Sequence, residues 1–268
     1  MKKIVAITNQ KGGVGKTTTA INLAASLARA NRSVLLIDMD PQSNLTSGVG
    51  LKGRPAPAGT VYDALTSDAP ANIEDFVVPT PVTDLYLVPA DRNLTGAELE
   101  LVDLPHRESR LRPLVSGARD QFDFIFIDTP PSLGLLTLNA LVAADEVLIP
   151  LTCEYFALEG LAELTTTLQR LQAGLNQDLT IAGVLLTMAD SRTNLGRQVA
   201  QEVRGYFKDK VFDTVIPRNI RLGEAPSHGL PVVLYDRRSK GAEAYLALAE
   251  EILSGEPRPL DRRNPDDA

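Results

Sequence analysis

The sequence is poor in the side chains that build metal centres, disulfide frameworks and aromatic platforms. Its 268 residues include one cysteine (Cys153), two histidines and no tryptophan, and aromatic residues make up 5% of the chain. A single cysteine excludes an intrachain disulfide framework and is typical of a reducing compartment. The few cysteine and histidine ligands leave little material for a transition-metal site. The shortage of rings argues against a carbohydrate platform and against single-strand binding by base stacking.

Long apolar runs are also missing. The chain has no stretch of about 18 apolar residues, so we expect no membrane-spanning helix. The N-terminus begins like a signal peptide, but Lys11 and Lys16 end its apolar stretch too early. Hydrophobic residues are 44% and charged residues 23% of the chain, as in ordinary globular proteins. We therefore expect a cytoplasmic protein of one large domain or two small ones.

Acidic residues outnumber basic ones, and the formal net charge is −7. The excess is unevenly distributed, because residues 192–240 hold ten basic and five acidic side chains, which gives this segment +5 and the remainder −12. The basic residues are Arg192, Arg197, Arg204, Lys208, Lys210, Arg218, Arg221, Arg237, Arg238 and Lys240. On charge alone, two explanations stay open: a local surface for an anionic partner, or solvated charges scattered over the surface.

Short apolar runs alternate with longer stretches of helical periodicity. The pattern predicts strands at residues 3–8, 34–37, 85–88, 122–127, 146–149 and 181–186, with weaker candidates at 211–212 and 232–234. It predicts helices at residues 17–30, 158–171, 195–207 and 242–253. Strands that are apolar throughout and separated by helices predict an α/β fold, with a mostly parallel central sheet covered by helices on both faces.

Two segments break this alternation. Residues 50–83 contain five prolines and two short helical patterns, and we interpret them as surface excursions, not as a second domain. Residues 255–268 contain three prolines and no apolar periodicity, which predicts a disordered tail. The expected organisation is a single domain over residues 1–254 followed by this tail.

A phosphate-binding loop lies between the first predicted strand and the first predicted helix, where residues 9–18 read NQKGGVGKTT. The glycines let backbone N–H groups point around phosphate oxygens, and the helix presents its positive N-terminus to the same anion. We expect Lys16 to neutralise phosphate charge and Thr17 to offer a hydroxyl to Mg²⁺. The usual pattern has glycine where Gln10 stands. A second lysine, Lys11, either adds charge at the phosphates or is a solvated loop residue.

Three aspartates follow predicted strands. Asp38 and Asp40 come directly after the second strand, and Asp128 ends the fourth. Because ligands of an open parallel sheet bind beyond the carboxyl ends of its strands, these side chains are expected to converge on the phosphate loop. We interpret Asp128 as the acid that holds Mg²⁺ through water and Asp40 as the group that orients or deprotonates the attacking water. For Asp38, a functional role and a turn-forming role stay open.

Four motifs carry a resemblance that covers most of the chain. They are KGGVGKTT at 11–18, DMDPQSN at 38–44, FIDTPPSLG at 126–134 and IPRNIRLGEAPSHG at 216–229. Together they resemble the ParA/Soj chromosome- and plasmid-partitioning ATPases, which belong to the deviant Walker A group that also holds MinD. The resemblance implies a three-layer P-loop NTPase-type fold. We expect the short Soj type, without the N-terminal helix-turn-helix region of the longer plasmid type.

The resemblance assigns roles around the nucleotide. Lys11 would reach the nucleotide of the other subunit in an ATP-sandwich dimer, and Gly12 would lie at that dimer contact. The implied catalytic residues are Lys11, Lys16 and Asp40, and the implied magnesium-binding residues are Thr17, Asp40 and Asp128. The implied residues for ATP or ADP are Lys11, Gly12, Gly13, Val14, Gly15, Lys16, Thr17, Thr18, Met188, Pro217 and Asn219, the last three at the adenine.

The resemblance also implies a DNA surface. Arg192 and Arg221 match the arginines that grip non-specific DNA in the ATP dimer, and both fall in the segment of charge +5. Arg197, Lys208 and Lys210 are expected to extend this surface. An acidic monomer would bind DNA poorly, whereas two subunits double the local patch, so ATP would control DNA affinity by controlling dimerisation.

The implied function is partitioning of a chromosome or plasmid. The ATP dimer would bind non-specific double-stranded DNA of the nucleoid, and a ParB/Spo0J-like centromere-binding protein would stimulate an otherwise slow hydrolysis that releases it. No membrane partner is expected, because residues 255–261 lack the basic amphipathic helix of a MinD-like anchor. An iron-protein reductase is disfavoured, because Cys153 is the only cysteine.

Two alternatives stay open. Instead of partitioning DNA, the chain could serve as a positioning ATPase for another cargo or as a nucleotide-switched regulator of replication initiation. His228 is interpreted as a turn or packing residue, and His106 as a surface residue.

Overall fold

Apolar runs along the chain build one central sheet. The computed structural model describes residues 2–67, 72–154, 157–189 and 194–255. Its strands are β1 (Lys3–Ile7), β2 (Val34–Asp38), β3 (Val78–Pro79), β4 (Leu85–Val88), β5 (Phe124–Asp128), β6 (Glu146–Thr152) and β7 (Thr180–Thr187). They lie in the order β3-β4-β2-β5-β1-β6-β7. β3 runs antiparallel to β4, and the other neighbouring pairs are parallel.

Helices connect these strands. They are α1 (Lys16–Arg29), α2 (Asn44–Gly48), α3 (Val61–Thr66), α4 (Leu94–Glu100), α5 (Leu111–Ala118), α6 (Leu135–Ala143), α7 (Ala157–Gly174), α8 (Asn194–Phe207), α9 (Ile220–Glu224), α10 (Val232–Tyr235) and α11 (Lys240–Ser254). The strongly periodic helices predicted near α1, α7, α8 and α11 are confirmed, with ends that differ by three residues or fewer.

Helices cover both faces of the sheet, which confirms the predicted three-layer α/β architecture. Successive residues of β1 point into different cores: Ile4 and Ala6 belong to one apolar cluster, and Val5 and Ile7 belong to the other. α1 and α11 pack in the second cluster, whereas α5, α6, α7 and α8 contribute side chains to the first. This double burial explains why the central strands are apolar throughout instead of alternating with polar residues.

The register of the central strands brings their carboxyl ends level. Ile7 of β1 and Asp38 of β2 are both paired with Asp128 of β5. The loop that follows β1 therefore begins beside two aspartates, at the edge of the sheet where ligands of such folds bind.

The weak strand prediction at residues 232–234 is wrong, because these residues form α10. Pro231 precedes the helix, and the N–H of Val232 bonds to a side chain of α1 instead of a strand. Val232 and Val233 are buried in the α1–α11 layer, which explains their apolar character without a sheet. The candidate at 211–212 makes one isolated parallel bridge, between Val211 and Val184.

Residues 50–83 contribute to the core more than predicted. Val61, Leu65, Ile73 and Phe76 are buried in the first apolar cluster, and the short strand β3 pairs with β4. Sequence patterns missed β3 because a two-residue strand containing Pro79 has no measurable alternation.

The predicted tail lies mostly outside the described residues, which end at Gly255. That residue adopts a left-handed conformation (φ 64°) and ends α11. In the described parts of the chain, every helix is too short or too polar to cross a bilayer.

The side chain of Asn176, which follows α7, links the loop after that helix to the end of α6. Its side chain is buried, and its Nδ2 donates to the carbonyl oxygens of Leu141 (2.9 Å), Val142 (3.3 Å) and Ala144 (2.8 Å) at the end of α6. One amide group thus satisfies carbonyls that the helix end leaves without partners.

We expect Asn176→Ala to lower the free energy of unfolding by about 1–3 kcal/mol, because buried carbonyls lose their donor. Urea unfolding of the purified protein measures this difference. Asn93→Ala is the matched control, because the Asn93 side chain is exposed and bonds only to Asp91 among the described contacts. Equal unfolding free energies for the two variants would contradict the assignment.

Candidate functional site

The loop between β1 and α1 has the backbone conformation of an anion cradle. Gly13 (φ 74°) and Gly15 (φ 90°) both adopt the left-handed region, which side chains with a Cβ disfavour. Gly15 precedes α1 without a side-chain cap, so N–H groups of the first helical turn face the cleft. Gly12 lies against Pro131, where a Cβ would meet the proline Cβ at 3.8 Å.

Lys16 and Thr17 begin α1 inside this cleft. Lys16 is 7% exposed, and its Nζ lies 3.3 Å from the carbonyl oxygen of Lys11. Burial lowers the pKa of Lys16, while the carboxyls of Asp128 and Asp40 raise it. Among the described contacts, no carboxylate lies at hydrogen-bond distance from the Lys16 ammonium. This ammonium is therefore available to an anion that enters the cleft.

Thr17 and Asp128 provide an oxygen site beside the loop. Thr17 Oγ1 donates to Asp128 Oδ2 at 2.7 Å, and the other carboxyl oxygen, Oδ1, is buried without a hydrogen-bond partner. A hydroxyl with an unpartnered carboxyl oxygen fits Mg²⁺, which takes oxygen ligands and keeps much of its water shell. Burial, followed by the neighbouring Asp38, raises the pKa of Asp128 well above its usual range.

Asp38 is a structural residue that shapes the loop carrying Asp40. It is fully buried, and its carboxyl accepts bonds from Thr46 N (2.9 Å), Thr46 Oγ1 (2.6 Å) and Asp40 N (3.1 Å). Burial raises the pKa of Asp38 to about 6, although these three donors oppose the shift. The sequence left the role of Asp38 open, and these contacts favour positioning.

Asp40 lies in the wall of the phosphate cleft. Its Oδ1 accepts from the N–H of Gln42 at 2.9 Å, which leaves carboxyl oxygen facing the same space as the glycine loop. The cleft has a volume of about 590 Å³. Its wall includes Gly12, Gly13, Gly15, Lys16, Thr17, Thr18, Asp40, Pro131, Pro226 and Ser227.

A second, more apolar pocket continues from this cleft. Gly15, Thr18 and Met188 line both, and Pro217 and Asn219 line the second, whose volume is about 330 Å³. The structure thus brings the three predicted adenine-side residues together beside the phosphate loop. A mostly apolar pocket next to an anion cradle suits a nucleoside base.

Backbone contacts hold the base pocket in place. Thr187 Oγ1 donates to the carbonyl of Val14 at 2.8 Å, which ties β7 to the phosphate loop. Met188 has a left-handed conformation (φ 50°), and Ala189 forms a bridge with Pro217. Asn219 Oδ1 accepts from Arg221 N at 2.9 Å and thereby caps α9.

Lys11 points away from the cleft of its own chain. Its Nζ pairs with Glu154 Oε2 at 2.7 Å, and its N–H donates to Asn9 Oδ1 at 3.0 Å. The hydrogen bond from Lys11 lowers the pKa of the Glu154 carboxyl. Lys11 and Lys16 are only five positions apart, but Lys16 lines the cleft, whereas the Lys11 ammonium is paired with Glu154 and does not line it.

Of the two arginines predicted to bind DNA, Arg221 is among the described residues. Arg192 lies outside the described residues. Arg221 is half-exposed, and it pairs through Nη1 with Glu224 (2.8 Å) and through Nε with Asp236 (3.3 Å). Of the residues expected to extend the surface, Lys208 and Lys210 are exposed in the turn after α8. Arg197 is also exposed, and it bonds to Asn194 within α8.

The other singled-out residues have packing roles. His228 stacks on Tyr235 with ring centroids 4.9 Å apart, as a packing residue would. Cys153 is half-buried against the first apolar cluster, and burial raises the pKa of its thiol. His106 is exposed, as expected.

Sequence reasoning missed four residues that support the site: Asn22, Thr46, Glu154 and Tyr245. The Tyr245 hydroxyl lies 3.1 Å from Thr19 Oγ1 inside the core and lines the floor of the base pocket. Asn22 and Thr46 are polar residues in apolar surroundings, and this mismatch is the signal that would have found them. Glu154 carries no such signal, because it is an exposed glutamate.

Known proteins resemble this chain over most of its length. The profile of a family described as an AAA domain matches residues 2–181. The chromosome partitioning protein ParA of Myxococcus xanthus is 56% identical over 261 residues, which are 97% of this chain and 91% of that protein. The chromosome-partitioning ATPase Soj of Treponema pallidum is 53% identical over 254 residues, which are 95% of this chain and 98% of that protein.

A solved structure shares the fold along its whole length. The cobyrinic acid a,c-diamide synthase of Mycobacterium smegmatis with bound ATP analogue and magnesium has a TM-score of 0.83 and 36% identity. The match covers 97% of this chain and 98% of that one. Its sequence identity is lower than that of the two curated relatives.

The two aspartates after β2 should respond differently to truncation. We expect Asp38→Ala to destabilise the protein by more than about 3 kcal/mol, because three buried donors lose their acceptor at about 1–3 kcal/mol each. Asp40→Ala should cost about 1 kcal/mol or less, because one partly buried bond to Gln42 is lost. Urea unfolding without nucleotide compares them. A larger loss in Asp40→Ala would contradict the structural role of Asp38.

Proposed function

The chain belongs to the ParA/Soj family of chromosome-partitioning ATPases, and from this premise we propose that it is an ATP-gated DNA-binding switch for DNA segregation. It binds ATP with Mg²⁺, pairs with a second copy, and holds non-specific double-stranded DNA as a dimer. Hydrolysis, slow alone and stimulated by a ParB-like partner, releases the DNA. The observation that carries the proposal is the buried, unpartnered Asp128 Oδ1 beside Thr17, which itself lines the cleft together with Lys16 and Asp40.

The phosphate loop supports binding of the nucleotide tail. Backbone N–H groups of Gly13, Val14 and Gly15 surround the phosphates, and Lys16 neutralises their charge. Thr18 lies where the phosphate cleft and the base pocket meet. Because Lys16 is buried without a bonded carboxylate among the described contacts, an anion in this cleft gains an ammonium that water does not screen. Met188, Pro217 and Asn219 hold the adenine in the adjoining pocket.

Oxygen ligands support the metal assignment. Thr17 would hold Mg²⁺ through its hydroxyl, with Asp128 acting through water and Asp40 as a further oxygen ligand. In the described chain, no cluster of three or more acidic, histidine or cysteine side chains forms a cage. This suits Mg²⁺, which relies on substrate phosphates and water for its remaining positions. When bound, the metal offsets charge on the phosphates, and Asp40 orients or deprotonates the attacking water.

Lys11 and Gly12 support pairing of two chains. Lys11 is directed away from its own cleft and is held by an exposed ion pair, which contributes little to stability. It is therefore available to the nucleotide of a second copy. Gly12 borders the cleft without a side chain, so another subunit can approach closely. Both assignments make the catalytic site complete only in the dimer.

Arg221 supports the DNA-binding part of the proposal, with Arg192 as its expected partner. The chain has a net charge of −7, so a monomer with few phosphate contacts is repelled by DNA. A dimer doubles the arginine contacts, and each added contact acts steeply through counterion release. The nucleotide therefore controls DNA affinity by controlling whether two chains pair. In cells, this places the protein on the nucleoid while ATP is bound.

Fluorescence anisotropy on a random-sequence DNA duplex tests the proposal. We expect salt-sensitive binding with ATP and Mg²⁺, and at least about tenfold weaker binding with ADP or without nucleotide. Asp40→Ala should hydrolyse no ATP and remain bound to DNA, whereas Lys16→Ala should bind neither ATP nor DNA. Hydrolysis at the wild-type rate in Asp40→Ala would move the catalytic role elsewhere. Absence of DNA binding in every nucleotide state would favour another cargo or a regulatory partner.

Arg221→Ala should weaken DNA binding of the ATP form and lower the slope of log affinity against log salt by about two, one contact for each subunit. Dimerisation with ATP, followed by light scattering, should be unchanged. Arg29→Ala is the matched control, because Arg29 is an exposed arginine in the last turn of α1, at the end opposite the phosphate loop. Loss of the dimer in Arg221→Ala would instead make Arg221 an interface residue.

A further inference from the structure

One stretch of chain lines both the base pocket and the phosphate cleft and also carries Arg221, the arginine proposed to bind DNA. We call residues 217–236 the bridging segment. Pro217 and Asn219 line the base pocket, and Pro226 and Ser227 line the phosphate cleft. Arg221 lies between these two contacts in sequence and points outward from α9. Any shift of the bridging segment relative to the nucleotide therefore also moves this arginine.

We propose that a direct backbone contact between Gly50 and Gly229 couples the nucleotide cleft to the DNA surface through the bridging segment. The proposal rests on the proposed function and adds the route by which nucleotide reaches Arg221. Neither glycine lines the cleft or the base pocket.

The two glycines touch without any side chain between them. Gly50 (φ 80°) and Gly229 (φ 66°) both adopt the left-handed region. A Cβ on Gly229 would lie 2.7 Å from the Cα of Gly50, and a Cβ on Gly50 would lie 3.0 Å from the carbonyl oxygen of Gly229. Real Cβ atoms essentially never approach to 2.7 Å, so a Cβ on Gly229 must push the two segments apart, whereas a Cβ on Gly50 requires a shift of a few tenths of an ångström.

Gly50 follows α2, the short helix that comes directly after the loop carrying Asp40, the proposed catalytic aspartate. Asp38 holds both Asp40 and Thr46 through its carboxyl, and Thr46 lies in α2, which ends at Gly48. Residues 38–50 are thus joined from the catalytic aspartate to the glycine contact. In the proposal, a change in the cleft that moves Asp40 reaches Gly229 through the buried Asp38 carboxyl, α2 and the contact between the two glycines.

A buried amide fastens the other end of the bridging segment to the phosphate loop helix. Asn22 is 2% exposed, its Nδ2 donates to the carbonyl of Thr18 at 2.7 Å, and its Oδ1 accepts from the N–H of Val232 at 2.7 Å. Thr18 lines both the phosphate cleft and the base pocket. The segment is therefore attached to the site at two points, Asn22 and Gly50.

The outward side of the bridging segment carries its own ion pairs. Arg221 pairs with Glu224 and Asp236, and Glu224 also accepts from the Tyr235 hydroxyl at 3.4 Å. All four residues lie within the bridging segment, so the segment presents Arg221 as a preassembled unit. In the proposal, the orientation of Arg221 against DNA depends on how the cleft holds the bridging segment.

The test compares glycine substitutions that differ only in what the new Cβ meets. Gly229→Ala and Gly50→Ala each force the contact apart from opposite sides. Gly53→Ala is the matched control, because Gly53 has a similar backbone (φ 73°) and nothing within 4 Å of an added Cβ. Gly229→Asn keeps the collision but suits the left-handed backbone better, and it serves if the alanine variant folds poorly.

For each variant, calorimetry measures ATP affinity with Mg²⁺, light scattering measures the ATP dimer, and anisotropy measures binding to a random-sequence duplex. In Gly229→Ala and Gly50→Ala we expect ATP affinity within twofold of wild type and DNA affinity of the ATP form at least tenfold lower. Gly53→Ala should match wild type in all three measurements. Because coupling is reciprocal, DNA should also raise ATP affinity less in the two contact variants than in wild type.

Three results would overturn the coupling. They are wild-type DNA affinity in both contact variants, parallel loss of ATP affinity and DNA affinity in them, or an equal loss of DNA affinity in Gly53→Ala. Wild-type protein that binds DNA equally with and without ATP would instead overturn the proposed function, and the coupling with it. The two failures are distinguished by the behaviour of the wild type.

Discussion

The hydrogen bond between Thr17 and Asp128 fixes the phosphate loop to the sheet, and the remaining site residues take their positions from it. Thr17 lies in the first turn of α1, and Asp128 ends β5, the strand between β1 and β2. Asp38 stands directly beside Asp128 in the strand register, and it holds the Asp40 loop through Thr46. The Thr17 hydroxyl therefore helps to set the distance between the phosphate loop and the carboxylate proposed to act on water.

This arrangement buries ionisable groups of both signs close together at the cleft, even without a ligand. Asp38 and Asp128 are fully buried, and burial raises the pKa of both. Lys16 is also buried, which lowers its pKa, so neither sign of charge is fully compensated. A nucleotide with its cation supplies both missing charges at once, an anion for Lys16 and a cation for the carboxylates.

Sequence alone predicted the parts of the fold and site that depend on local patterns. The apolar strands, the long amphipathic helices and the three-layer architecture follow from periodicity, and the family follows from four motifs with defined spacing. The glycine loop, Asp40 and Asp128 could be singled out because strand ends place them at one edge of the sheet. The roles assigned to these residues stay predictions, as does the DNA contact of Arg221.

What sequence missed depends on contacts between distant segments. Asn22 meets Val232 across 210 positions, and two glycines meet only because α2 packs beside the bridging segment. The apolar run at 232–234 resembles a strand because burial in a helical layer selects the same residue types as burial in a sheet. Periodicity cannot separate these environments in a run of three residues.

The weak ion pairs of Arg221 are what makes gated DNA binding physically reasonable in an acidic chain. Exposed pairs such as those with Glu224 and Asp236 contribute about 0–1 kcal/mol, so a DNA phosphate can replace or share them at little cost. One such exchange cannot overcome the repulsion between DNA and a chain of net charge −7. On the proposed function, DNA affinity must therefore come from the number and alignment of arginines, and the nucleotide cleft would set both.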